Sequence, residues 1–191
     1  MKKLIKFIPL VIFIVLFSLP FVSKNPLVAH DWPLLFKESR SFSPFWYMAW
    51  DYMGNGGIGV AAFKTLWIDL YANFVYFISN TLNIPWYLSQ RIFWLIPFLI
   101  LSLVSSFKFS KLFIKDDSFR VISSLIYTFN TYILLIVAGG QFGIAFSYAI
   151  APIVLLNLIN LFERPNKNNF VISALFSGII IALDPRVALL S

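Results

Sequence analysis

The sequence predicts an all-α, polytopic membrane protein with about five transmembrane helices and interfacial amphipathic helices in a long first extracytoplasmic loop. Three observations predict it. Hydrophobic residues fill 60% of the 191 positions and charged residues only 12%, about half the share in a soluble domain. The charges gather in short groups at the ends of long apolar runs, where side chains meet lipid headgroups. Cysteine is absent, so no thiolate ligand, redox pair or disulfide framework enters the reading. A water-soluble enzyme with an ordinary surface and a disordered chain are both excluded by this composition. The net charge of +7 does not point to nucleic acid, because no basic stripe is interleaved with exposed polar residues and no recognition motif appears.

The elements follow in order. Lys2, Lys3 and Lys6 precede an uncharged run over 7–23 that lacks an Ala-x-Ala cleavage site, so it reads as a retained first span. An outer loop, 24–84, is far longer than a connection needs and is rich in Trp, Tyr and Phe, which favour the headgroup layer. Within it, the stretch 61–82, with Lys64 and Asp69 inside, alternates at helical spacing and reads as an amphipathic helix lying on the membrane, Asp69 on its wet face. The rival reading is an extra span with Asp69 buried, which would invert everything downstream and which the charge bias of the short loops opposes. Gly54, Gly56, Gly57 and Gly59 read as a flexible turn, since no Lys-Ser/Thr follows to make a phosphate loop.

The second span is placed at 85–107, with Arg91 near enough to one end to snorkel to the interface. The stretch 121–162 carries no charge and is twice a bilayer's thickness in helix, so it divides into spans 121–138 and 143–162 around Gly139, Gly140 and Gln141. A fifth span, 170–191, is interrupted by Asp184, Pro185 and Arg186. Counting bases gives the orientation. With the N-terminus cytoplasmic, Lys2, Lys3, Lys6, Lys108, Lys111, Lys115, Arg120, Arg164 and Lys167 lie inside. Lys24, Lys37, Arg40, Lys64, Arg91 and Arg186 are then spread thinly outside. The expected location is the cell membrane, multi-pass. The apolar run continues to Ser191 without a closing loop, as expected of the N-terminal part of a larger protein.

Acidic residues on the outer side are the candidates for chemistry. His30 and Asp31 follow the first span closely. Asp31 there can serve as a general base toward a hydroxyl or as a ligand for a divalent cation beside a lipid phosphate, with His30 as its hydrogen-bonding partner. Equally, Asp31 before Trp32 and Pro33 is a routine helix start. Asp51, between Trp50 and Tyr52, is a costly carboxylate unless satisfied. Asp184 and Arg186 interrupt a membrane helix, and ionisable groups there are functional candidates, Arg186 as a (di)phosphate contact.

The order of a first span, an acidic pair His30–Asp31 and a loop with surface helices resembles the GT-C-type membrane glycosyltransferases that use polyprenyl-linked donors. So do Tyr127-Thr128-Phe129-Asn130, Ala138-Gly139-Gly140-Gln141-Phe142-Gly143 and Tyr148-Ala149-Ile150-Ala151-Pro152, which look like a segment of large, mostly uncharacterised prokaryotic membrane proteins of that type. The acidic pair departs from that family's pattern in being His-Asp and not two carboxylates. The resemblance implies transfer of a sugar from a polyprenyl phosphate or diphosphate lipid to an acceptor outside the cytoplasm. It implies Asp31 and His30 as catalytic, with Asp51, Arg91, Asp184 and Arg186 around the donor. Two other readings stay open: a non-catalytic or truncated scaffold for envelope assembly, and a transporter using Asn157.

Overall fold

The structure is a computed structural model, and it describes residues 66–184, 186 and 187, together with Val15 and Val22. Every regular element among the described residues is helical. Helix α1 is Leu66–Thr81. Asn83, with φ 53°, and Pro85, at the N-cap, turn the chain into α2, which runs Trp86–Ser110 with one wide π turn at Arg91–Leu95. Helix α3 (Asp117–Thr128) and the short α4 (Thr131–Ala138) follow, then α5 (Phe142–Glu163) and α6 (Lys167–Leu183).

Three helix starts carry a side-chain cap. Asp116 caps α3 by accepting from the Ser118 and Phe119 amides, Asn130 caps α4 through the Ile133 amide, and Asn166 caps α6 through the Asn169 amide. Gly140 takes a left-handed φ of 74° in the turn that reverses α4 into α5.

The described elements make an up-and-down bundle in which α2 and α5 run in the same direction. Trp94 packs on Phe142 with ring centroids 5.0 Å apart, and further along both helices the Ser105 hydroxyl donates to the Ala149 carbonyl. Around this seam lies the core of Trp94, Leu95, Phe98, Leu99, Ile133, Val137, Phe142, Ala145 and Ala149. Small residues bring the backbones together, as is usual where lipid offers no hydrophobic drive. On α2, Ser102, Ser105, Ser106 and Ser110 are all buried, and Ser102 meets Thr128 of α3 at 2.9 Å.

Two prolines shape the bundle. Pro97 lacks the N–H that would bond to the Phe93 carbonyl, and the helix widens into the π turn just before it. The Tyr71 hydroxyl of α1 donates to that carbonyl. Pro152, inside α5, likewise frees the carbonyl of Tyr148, which accepts the Tyr127 hydroxyl of α3 at 2.8 Å. In both places a tyrosine from a neighbouring helix replaces the missing donor.

The helices α2 and α5 are long and apolar enough to cross a membrane, and α3 with α4 makes a third such segment if the pair counts as one. Around them, Ile100, Ile126, Leu135 and Leu175 are exposed by half or more, a surface suited to lipid contact. The molecule is a helix-rich bundle of the kind a multi-pass membrane protein forms.

Two features differ from the sequence expectations. The segment 121–138 is not one straight helix but α3 and α4, bent by 43° at Phe129–Asn130. Arg91 does not snorkel outward; it is 2% exposed and buried against the bundle. Helix α6 ends at Leu183, where Asp184 interrupts the apolar run.

Candidate functional site

His30, Asp31 and Asp51 lie outside the described residues, so the site is built from Arg91, Asp184 and Arg186. Asp184 follows the last turn of α6 in extended conformation, its amide still bonded to the Ile180 carbonyl. That geometry swings its carboxylate back over the next residues. Oδ1 accepts from the Arg186 amide at 2.9 Å and from Nε at 3.1 Å, and Oδ2 accepts from Nη2 at 2.7 Å. The result is a two-toothed clamp between residues two apart. Asp184 is buried while the Arg186 side chain is 75% exposed. Arg186 therefore presents a cation of fixed orientation at the end of an apolar helix, with its Nη1 edge turned away from Asp184. Such an edge can receive a phosphate oxygen.

Arg91 is built differently. It opens the π turn of α2, Nη1 donates to the Tyr87 carbonyl at 2.6 Å, and the guanidinium lies over the Tyr87 ring at 5.7 Å. The adjoining Gln90 and Ser89 are also buried, and Ser89 accepts from the Ser79 hydroxyl of α1 at 2.7 Å. A buried polar cluster thus joins α1 to the start of α2. No described contact links Arg91 to the Asp184–Arg186 clamp.

A third polar group was not foreseen. Tyr127 and Tyr148 stack at 4.2 Å, each hydroxyl donating to the other's backbone carbonyl, at 2.8 and 2.9 Å. Asn130 donates to the Tyr127 carbonyl and to the Tyr148 hydroxyl. The spacing of Pro152 four residues after Tyr148 was the available signal, since it marks a carbonyl without a helical donor. Every side-chain polar group in the trio is engaged, with the other members or, for Asn130 Oδ1, with the Ile133 amide, which suits a structural lock better than a ligand site.

No family model, no curated protein and no solved structure matches the chain. Among the described residues no three His, Cys, Asp or Glu side chains gather to hold a metal ion.

Proposed function

We propose that the chain acts in a GT-C-type membrane glycosyltransferase, moving a sugar from a polyprenyl-phosphate or diphosphate donor to an acceptor outside the cytoplasm. In this reading there are five spans, with the N-terminus cytoplasmic and α1 lying along the outer membrane surface. The per-length excess of Lys and Arg in the short inner loops supports that orientation.

The observation that carries the proposal is the Asp184–Arg186 clamp: an exposed guanidinium, held in place by a buried carboxylate, where an apolar helix ends. The donor's prenyl tail lies against apolar helix surface and its phosphate meets Arg186. Asp31, with His30 beside it, takes the proton from the acceptor hydroxyl as that oxygen attacks the anomeric carbon. The bond from that carbon to the phosphate oxygen breaks, and its electron pair leaves on the phosphate, whose charge Arg186 balances. Asp51 and a divalent cation at Asp31 belong to the same proposal. Arg91, being buried, adds positive potential without contact.

The test is transfer of labelled sugar from a polyprenyl-phosphate donor in membranes holding the protein. Asp31→Asn is expected to lower the rate by roughly 10²–10⁴, the usual range for a lost general base. Arg186→Gln is expected to raise the donor KM. Undiminished transfer by the Asp31→Asn protein sinks the assignment.

A transport reading draws on two other observations. The α3–α4 break is a discontinuous apolar segment, and the Asn157 side-chain nitrogen is buried without a hydrogen-bond partner among the described residues. Solute uptake that is lost in Asn157→Leu, with no sugar transfer, would favour it.

A further inference from the structure

The loop between α2 and α3 is a built surface and not a slack connection. Arg120 reaches back from α3, donating through Nε to the Ile114 carbonyl at 2.6 Å and through Nη2 to the Lys115 carbonyl at 2.9 Å, while Nη1 pairs with Asp117. Asp116 is occupied as the cap of α3. Both acids and the arginine of this loop are therefore spent on holding its shape. Lys108, Lys111 and Lys115 remain exposed, and none is in an ion pair among the described residues. Lys111 lies over the Phe107 ring at 5.4 Å.

Between these lysines the chain turns Leu112 and Phe113 outward, Phe113 being 73% exposed and packed edge-on against Phe109 at 5.5 Å. A large apolar side chain held out beside three cations, at the end of a helix able to cross a membrane, is mismatched to water. It fits the boundary between acyl chains and headgroups, where the ring enters the apolar layer and the ammonium groups meet phosphates.

We propose that the 108–120 loop is a docking surface for anionic phospholipid, with Lys108, Lys111 and Lys115 contacting the headgroups and Leu112 and Phe113 seated among the upper acyl chains. The partner is a membrane lipid of net negative charge, chosen over zwitterionic lipid by charge complementarity. An acidic protein surface suits the lysines but leaves Phe113 unexplained. The inference rests on the membrane-embedded reading of the bundle and not on sugar transfer.

The full chain is reconstituted in phosphatidylcholine nanodiscs with spin-labelled phosphatidylglycerol or spin-labelled phosphatidylcholine, and the motionally restricted fraction of each label is measured. Phosphatidylglycerol is expected to be preferred at low salt, and the preference is expected to fall about fivefold for each lysine neutralised. It should vanish in K108Q/K111Q/K115Q, persist in K108R/K111R/K115R, and shrink at high salt. Equal restriction of the two labels by the unaltered chain overturns the proposal. So does a preference that survives in the triple glutamine variant, which would leave the lysines to an acidic protein partner. Asp31→Asn should leave the lipid preference intact, so the failure of one proposal is distinguishable from the failure of the other.

Discussion

Tyr127 illustrates how a single hydroxyl offsets a proline. Without it, the Tyr148 carbonyl would lie partly buried in the bundle with no intrahelical donor. An unsatisfied buried carbonyl costs about 1–3 kcal/mol, while single interhelical hydrogen bonds in membranes average about 0.6 kcal/mol. Tyr127→Phe is therefore expected to destabilise the bundle by about 1–2 kcal/mol. In a Pro152→Ala background the restored N–H can reach the Tyr148 carbonyl, so the same change should cost less. Unfolding in detergent of the four proteins of this cycle measures the difference, and identical costs in the two backgrounds would refute the proline explanation.

At the scale of elements, the break between α3 and α4 depends on Asn130, which caps α4 at 3.0 Å from the Ile133 amide and donates to both tyrosines' groups. Asn130→Ala removes a cap and two donors at once. A loss of about 2 kcal/mol is expected, of which the cap alone accounts for about half. Asn130→Asp keeps the acceptor and loses the donors, so its stability should fall between the two; a variant as stable as the parent would mean the cap is not what holds the bend. The prediction belongs at this scale because it concerns the joint between two helices and not a single contact. The bend itself was not legible in the run 121–138. Every residue flanking Asn130 there is apolar or small enough to continue a helix, and an asparagine within a helix is tolerated. What decides is Tyr148, contributed by a different helix.

For the whole molecule, the proposed topology is testable because the chain has no cysteine of its own. Single cysteines in place of Lys115, Lys167 and Gln141 sample the α2–α3 turn, the start of α6 and the α4–α5 turn. In intact cells a membrane-impermeant thiol reagent is expected to label the Gln141→Cys protein, and to reach Lys115→Cys and Lys167→Cys only after permeabilisation. The reverse pattern would invert the orientation, and uniform labelling of all three would contradict the crossing helices. The exposed apolar flanks of α5 and α6, including Phe162 and Leu175, belong to the same picture, since in water such a surface would drive association.

The amino-acid sequence by itself determined the helical class, the apolar character suited to a membrane and the approximate positions of the two long apolar helices α2 and α5. Those properties follow from composition and from where charge is placed along the chain, and both are local quantities. It also singled out Asp184 and Arg186, because a charged pair interrupting an apolar run is visible without any fold. Only the three-dimensional structure decided how the pair is arranged: the extended backbone at Asp184 turns its carboxylate onto Arg186 and leaves the guanidinium outward. It also decided the burial of Arg91, which from spacing alone lies near enough to a helix end to escape into solvent. The same holds for the tyrosines that satisfy the carbonyls freed by Pro97 and Pro152. The burial of Arg91 and the two tyrosine contacts depend on which helices pack together, and a hydrogen bond between residues 21 or 22 positions apart has no signature in local periodicity.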